Sequence, residues 1–382
     1  MMHSIELFAG GGGLALATSN SGFCHSYLVE WDADSTSTLR QNSSLLHLSS
    51  KSENAIYNGD IRDVDFSKYS EKIDLLSGGP PCQPFSIGGK AQAFNDSRDM
   101  FPQAARALAE IKPRAFIFEN VRGLLRKSFS RYFNYILLQL TYPELFRKQE
   151  QTWEEHLALL ERHHTSCAFF EGLKYNVVFR MANAADYGVP QKRERVFIVG
   201  FRNDVKGDWS FPEPTHSKES LDYAKYCTGE YWVRHDLPVP KHQFHSSQLL
   251  FAPDLRPWVT VRDVLGDMPN PLSENNKVLN HTYQSGAKCY PGHTGSCLDE
   301  PSKTIKAGAH GVPGGENMML LDDGSVRYYT VREAARIQTF PDNYIFPCSW
   351  TESMRQIGNA VPVMLGSVVA KSVYNTLNND RH

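Results

Sequence analysis

Six residues, Ser4-Ile5-Glu6-Leu7-Phe8-Ala9, run straight into four consecutive glycines, Gly10-Gly11-Gly12-Gly13. Leu14-Ala15-Leu16-Ala17 then resumes an apolar, helix-forming pattern. A buried strand that ends in glycines and restarts as a helix lets the backbone approach a ligand closely. The next apolar run, His25 to Val29, ends in Glu30-Trp31-Asp32, with Glu30 20 residues after Gly10. Strand, glycine turn, helix, strand and acid in this order are the layout of a nucleotide-type site, in which the acid accepts hydrogen bonds from a ribose diol. The spacing predicts an α/β fold with a Rossmann-like, doubly wound sheet. Gly10-x-Gly12-x-x-Ala15 also fits the dinucleotide fingerprint, so a nicotinamide enzyme competes at this point.

A second stretch carries chemistry of its own. Ile73-Asp74-Leu75-Leu76-Ser77 reads as a short buried strand, and Gly78-Gly79-Pro80-Pro81 ends it and stiffens the turn that follows. Cys82 stands at the tip, which is how a chain presents a nucleophile at a sheet end. A lone cysteine also packs as a small hydrophobe, so the turn is persuasive only with partners. One partner is Glu119, which ends the strand Ala115-Phe116-Ile117-Phe118. Consecutive strands of such a sheet commonly neighbour each other, and ligands bind beyond their carboxyl ends, so Cys82 and Glu119 are expected to face one crevice. A third strand ending near Asn58-Gly59-Asp60-Ile61 places a second acid at the same end. Between Phe85 and Asp99 the chain is polar and glycine-containing, with the length of a loop that closes over substrate.

The rest of the chain divides by texture. Residues 124–173 read as two amphipathic helices, one with Tyr132, Tyr135, Ile136, Leu137 and Leu140, the other a peripheral one with Trp153, Leu157, Leu159 and Leu160. Tyr175 to Ala182 and Val196 to Phe201 read as strands, and Gln191-Lys192-Arg193-Glu194-Arg195 leads into the second. Those arginines suit a solvated edge, or one guanidinium aimed into the crevice and the other at a phosphate. Residues 202–349 hold 13 of the 21 prolines and little helical periodicity before Val331. We therefore divide the chain into a catalytic and cofactor-binding domain, 1–201 plus 350–382, and a smaller loop-rich domain, 202–349. Within the latter, Pro301 to Lys306 reads as a strand leading into a glycine-rich loop, with Lys303 and Lys306 as nucleic-acid contacts. Gly358-Asn359-Ala360-Val361-Pro362 precedes an apolar helix, Val363 to Leu377.

Charge and cysteine usage exclude some classes. The formal net charge is −2, so the molecule as a whole is not a basic nucleic-acid binder. From Lys112 to Arg131, however, six basic residues face one acidic residue, a net of +5 and a candidate wall of a phosphate-binding cleft. The 7 cysteines are scattered without a C-x-x-C, as expected in a reducing cytoplasm. Cys289, His293 and Cys297 match no common zinc spacing, so no metal is expected. No apolar run is read as a membrane span or a signal peptide.

Five stretches together resemble the cytosine-C5 DNA methyltransferases of bacterial restriction-modification systems. They are Phe8-Ala9-Gly10-Gly11-Gly12, Pro80-Pro81-Cys82-Gln83, Glu119-Asn120-Val121, Gln191-x-Arg193-x-Arg195 and Gly358-Asn359-Ala360-Val361-Pro362. Their order matches, and they span nearly the whole chain. The Pro80-Pro81-Cys82 turn, for which a nicotinamide enzyme has no use, decides between the two readings. The resemblance implies a class I S-adenosylmethionine-dependent methyltransferase fold, S-adenosyl-L-methionine as methyl donor, and a target-recognition function for residues 202–349. It assigns the cofactor to Phe8, Gly10, Gly12, Leu14, Glu30, Trp31, Asp60, Ile61, Pro80, Asn359 and Val361, with Trp31 stacked on adenine and Asp60 at its amino group.

The same resemblance implies covalent catalysis. Cys82 attacks C6 of a cytosine flipped from duplex DNA, Glu119 hydrogen-bonds or protonates N3, Arg195 contacts O2, and Arg193 holds the catalytic loop or a phosphate. Ser86 contacts backbone phosphate, Ile87 or Gln92 fills the vacated stack, and Thr304 lies near the flipped nucleotide across a cleft. The insert between Val121 and Tyr175 resembles the subgroup acting on GG(A/T)CC-type sites. The implied molecule is a cytoplasmic monomer with double-stranded DNA as partner and a restriction endonuclease sharing its site without a stable complex. A tRNA cytosine-C5 methyltransferase and a non-catalytic DNA-binding protein on the same fold are the alternatives.

Overall fold

The computed structural model describes residues 1–49, 55–81, 99–166, 171–240, 252–291, 294–307 and 317–380. The chain forms two compact units, Met1–Ala182 with Glu194–Phe211 and Val369–His382, and Asn183–Arg193 with Pro212–Val368. This division by packing differs from the one read off the sequence, because 183–193 and 350–368 belong to the second unit and 202–211 to the first.

The first unit is built on a seven-stranded sheet. Its elements are β1 (Met2–Leu7), α1 (Gly13–Ser21), β2 (Phe23–Glu30), α2 (Ala33–Gln41), β3 (Ile56–Asn58), β4 (Leu75–Gly78), α3 (Phe101–Ile111), β5 (Ala115–Val121), α4 (Ser130–Thr141), α5 (Trp153–Thr165), β6 (Tyr175–Asn183) and β7 (Glu194–Arg202). The strand order is β3-β2-β1-β4-β5-β7-β6. β1 pairs in parallel with both β2 and β4, β4 with β5, and β2 with β3, whereas β7 runs antiparallel to β5. The chain therefore winds outward in two directions from β1 and β4. That reversal is where an open α/β sheet leaves a crevice beyond its strand ends. Leu7 and Gly78 are register partners at this point, so the glycine loop and the Gly79-Pro80-Pro81 turn leave the sheet side by side.

Burial explains why these runs become strands. Ala115, Phe116, Ile117 and Phe118 are all inaccessible, as expected of a parallel strand covered on both faces. Gly78 admits nothing larger, since a Cβ there would lie 2.5 Å from the Leu7 carbonyl oxygen. The helices of the insert are not peripheral. Trp153, Leu157 and Leu160 join the main core with Tyr132, Tyr135, Ile136 and Leu140, while Leu137 only packs against it. Tyr132 and Trp153 meet edge to face at 5.3 Å, and a Thr152–Glu155 capping box starts α5.

The second unit has little regular structure. It contains β8 (His216–Ser217), α6 (Lys218–Asp222), α7 (Glu230–Arg234), β9 (Arg256–Pro257), α8 (Val261–Leu265), β10 (Ser296–Cys297), β11 (Met318–Leu320), β12 (Val326–Tyr328), α9 (Val331–Ile337) and α10 (Trp350–Asn359). Helix α11 (Val363–Asn379) contributes residues to both units. β8 pairs with β9, and β10, β11 and β12 form a small sheet. Pro301 to Lys306 is not the expected strand: its ladder pairing is a single bridge between Ser302 and Gln191. By length and composition the run Trp350–Asn379 would suffice to cross a membrane, which the sequence reading did not anticipate. It is broken between α10 and α11 at Ala360-Val361-Pro362, and 61% of its most apolar window is buried within the protein, as in core helices.

Candidate active site

The glycine loop begins with strain. Phe8, directly after β1, has φ +55°, a left-handed conformation unusual for an aromatic residue. Gly10 (φ +52°) and Gly12 (φ +84°) follow in the same region, with Gly12 as the N-cap of α1. A Cβ built on Gly10 would meet no atom within 4 Å. The glycine there answers to backbone conformation and to open space above the loop, the kind of space a ligand fills. Leu14 is buried, so its side chain is a packing group.

Glu30, at the end of β2, closes the loop. Its carboxylate accepts the Gly10 N–H at 2.7 Å and the Asp32 N–H at 2.9 Å. Burial pushes this carboxyl upward, against the pull of those amides. Beside it Trp31 is 78% exposed, an indole face available for stacking. Asp60 caps the turn Ile61–Asp63 and is engaged by Arg62 at 2.6 Å, a partner the sequence reading did not assign. The hydrogen bonds from Arg62 hold the Asp60 carboxyl below the usual range. Ile61 and Pro80 are buried.

On the other side of the reversal, Glu119 emerges near the end of β5. It is nearly inaccessible and pairs with the Arg195 Nε at 2.8 Å. The antiparallel register, Glu119 opposite Phe197 and Val121 opposite Arg195, puts the two side chains on one diagonal. Burial lowers the Arg195 pKa, and the Glu119 charge opposes that shift. A Cβ on Gly79 would lie 3.6 Å from Glu119 Oε2, so the carboxyl adjoins the turn that leads to position 82. Cys82, Ser86, Ile87 and Gln92 themselves lie outside the described residues. The chain on either side of that segment is anchored. The Asn120 side chain donates to the Pro80 carbonyl at 2.9 Å, Met100 N–H donates to Pro81 O at 3.1 Å, and the Tyr132 hydroxyl donates to Asp99. Asn120 is thus a positioning residue that sequence reasoning quoted within a tripeptide without giving it a role.

Arg193 is expected to hold the catalytic loop or a phosphate. In the structure it is fully buried. Its Nη1 donates to Ile305 O at 2.9 Å, and its Nη2 donates to Gly358 O at 2.6 Å and Ala360 O at 2.9 Å. The guanidinium positions two backbone segments and meets no phosphate at the surface. Side chains two residues apart on a strand share a face, but Arg193 precedes β7, and the geometry separates its environment from that of Arg195.

The other expected residues of the second unit cluster around Arg193. The Thr304 hydroxyl donates to Lys192 O at 2.7 Å. Lys306 is exposed, and Lys303 donates to the Thr294 hydroxyl at 3.1 Å. Asn359 ends α10 with an exposed side chain, and Val361 is buried. Cys289 and Cys297 are exposed free thiols, and His293 lies outside the described residues. Among the described residues no group of three or more His, Cys, Asp or Glu side chains is arranged to hold a metal.

Comparison with known proteins adds a family to this geometry. A family model described as C-5 cytosine-specific DNA methylase matches residues 2–142 and 159–375. The chain is 31% identical, over 98% of its length and 79% of the relative's, to Type II methyltransferase M.PspPI of Psychrobacter sp. (strain TA137). It is 32% identical to Type II methyltransferase M.Eco47II of Escherichia coli, again over 98% of this chain and 79% of the relative. Among solved structures, the S. pombe Dnmt2 methyltransferase superposes with a TM-score of 0.59 at 16% identity, covering 99% of this chain and 100% of that one, which shows a common fold.

Proposed function

We infer a mechanism from one premise: the chain belongs to the C-5 cytosine-specific DNA methylase family and is a DNA (cytosine-5-)-methyltransferase. The observation that carries the mechanism is the buried Glu119–Arg195 pair, set against the turn that leads to Cys82. Cytosine C5 is a poor nucleophile. Addition of the Cys82 thiolate to C6 turns the ring into an enamine and makes C5 nucleophilic. Glu119 hydrogen-bonds or protonates N3 as charge develops there, and Arg195, held in place by Glu119, contacts O2. After the methyl group is attached to C5, loss of the C5 proton expels Cys82 and restores the aromatic ring.

S-adenosyl-L-methionine supplies the electrophilic methyl group, on a sulfonium. The residues on hand suit it: the glycine loop offers open space above Gly10, Glu30 sits where a ribose diol is accepted, and Trp31 presents its face to an adenine. Phe8, Gly12, Leu14, Asp60, Ile61, Pro80, Asn359 and Val361 complete the proposed set. Residues 202–349 read the target sequence, with Lys303, Thr304 and Lys306 at the nucleic acid. Ser86, Ile87 and Gln92 serve the flipped nucleotide and its strand. Since the relatives above are Type II methyltransferases, this enzyme protects host DNA in a restriction-modification system. It acts as a cytoplasmic monomer, without a stable complex with the nuclease.

Bisulfite sequencing of a plasmid from cells expressing the protein tests the reading. It is expected to show 5-methylcytosine at one short recurrent site, with GG(A/T)CC the first sequence to inspect, and none with Cys82→Ala. Methyl incorporation into tRNA but not duplex DNA would instead favour the tRNA reading. Incorporation into neither would favour a non-catalytic DNA-binding protein.

A further inference from the structure

Three fully buried side chains of the second unit, Gln191, Arg193 and Gln338, form one connected polar cluster. Gln191 Nε2 donates to Gln338 Oε1 at 3.1 Å, and its own Oε1 accepts the Ile305 N–H at 3.0 Å. Gln338 Nε2 donates to Ile357 O at 2.6 Å and Ala360 O at 3.2 Å. Arg193 bonds to Ile305 O on one side and to Gly358 O and Ala360 O on the other. Every one of these bonds serves one of two segments, Thr304-Ile305 or Ile357 to Ala360, or links the side chains that do.

Those two segments need such support. Residues 303–307 lie in no strand, and 360–362 interrupt the helices α10 and α11. Neither places its backbone groups in a long ladder, so side chains do the pairing that a sheet would otherwise supply. The segments also touch. A Cβ on Gly358 would lie 2.4 Å from the Ala307 amide nitrogen, an approach that only glycine permits. Displacement of one backbone would press directly on the other or break buried hydrogen bonds, which leaves buried groups unpaired.

We propose that Gln191, Arg193 and Gln338 make the cofactor-facing segment at Asn359-Val361 and the DNA-facing segment at Thr304 one mechanical unit, so that occupation of either pre-orders the other. Gln338 is then a positioning residue for both ligands while facing neither. The proposal rests on the functional reading above, which assigns those two segments their ligands. A ligand that orders a shared element lowers the entropic cost of the next one, and this linkage is reciprocal.

The test measures the affinity for a duplex bearing the site found by bisulfite sequencing, with and without S-adenosylhomocysteine. Couplings of this kind typically amount to about 5–150-fold. The wild type is expected to bind the duplex at least about 5-fold more tightly with S-adenosylhomocysteine present. Gln338→Met, which keeps volume but removes the amide, should bring that ratio below about 2-fold. Should Gln338→Met fail to fold, Gln191→Met, which removes only the link from Ile305 to Gln338, carries the same expectation. A merely structural role would weaken both affinities and leave their ratio intact, and that result overturns the proposal, as does a wild-type ratio near one. Absence of methylation and of S-adenosylhomocysteine binding in the wild type would instead sink the functional reading itself.

Discussion

The sheet unit and the loop-rich unit pair their buried backbone groups in different ways. In the first, strands β1 to β7 pair N–H with C=O over runs of three to nine residues, which leaves the side chains at strand ends for chemistry. Glu30 and Glu119 are of this kind. In the second, strands are only two or three residues long, and buried polar side chains satisfy the backbone instead. Arg332 donates to Leu279 O at 3.0 Å, Pro341 O at 3.1 Å and Tyr344 O at 2.7 Å. Lys225 bonds to the Asp299 carbonyl and to Glu300. A buried charge therefore has different surroundings in the two units: beside the sheet Glu119 pairs with Arg195 next to the turn toward position 82, and in the loops it replaces a ladder.

Two substitutions would break this comparison if they behaved alike. Glu119→Gln retains size and hydrogen bonding but delivers no proton, and loss of a general acid typically costs about 10²–10⁴ in rate. Single-turnover methylation per folded molecule should fall by that order, over and above the stability lost when buried Arg195 is left without its countercharge. Arg332→Met should act on stability alone. It withdraws the guanidinium from three carbonyls, of which Pro341 O keeps the Tyr344 N–H at 3.0 Å, so with about 1–3 kcal/mol for each of the other two a loss of roughly 2 kcal/mol or more is expected in denaturant unfolding. The rate per folded molecule should hold. An Arg332→Met protein of wild-type stability would mean that these carbonyls find other partners and that the loops do not depend on buried charge.

The same contrast decides what was legible in the sequence. β1, α1, β2, β4 and β5 announce themselves because apolar runs, glycines and strand-end acids follow fixed periods, and Glu30 and Glu119 fall where those periods end. The antiparallel entry of β7 carried no local signal, because register depends on a partner strand elsewhere in the chain. Arg193 stayed ambiguous because a basic residue looks the same on paper whether it meets a phosphate or three carbonyls. Gln338 and Asn120 stayed silent because amides bonded to backbone obey no period. The short helices α6 to α8 were hidden by the prolines around them, whereas α10 carried a helical signal in Trp350, Met354 and Ile357 that went unread.

A smaller effect sharpens the division inside the sheet unit. Gly10 and Gly78 both stand at strand exits, yet for different reasons. At Gly78 an added methyl collides with the Leu7 carbonyl, so Gly78→Ala should destabilise the fold clearly. At Gly10 an added methyl touches nothing, and only the φ of +52° resists, at about 1–2 kcal/mol. Gly10→Ala is expected to cost stability of that order and to weaken S-adenosylmethionine binding more than tenfold by calorimetry. Unaltered cofactor affinity would move the ligand away from the glycine loop.

The smallest effect concerns a place where the sheet unit, like the loops, holds buried titratable side chains against its backbone. Glu6, buried within β1, accepts from the Ser77 hydroxyl at 2.9 Å and from the Ala15 amide. His25 approaches the Ala15 carbonyl at 2.9 Å through Nε2, with the Ser4 hydroxyl at 3.0 Å from Nδ1. Burial raises Glu6 from 4.5 to about 8 and lowers His25 from 6.5 to about 4. The signs are opposite. Between its two values Glu6 is protonated only when folded, so its contribution falls as pH rises toward 8. His25 is protonated only when unfolded in its window, so its contribution falls as pH drops from 6.5 toward 4. Above 6.5 Glu6 acts alone, with a limiting slope of about 1.4 kcal/mol per pH unit. Glu6→Gln keeps the acceptor without the titration. The stability of the wild type relative to Glu6→Gln should therefore decline by about 1 kcal/mol between pH 7 and 8 and level off above that. A difference that stays constant across this range would show that Glu6 is already ionised in the folded protein at pH 7.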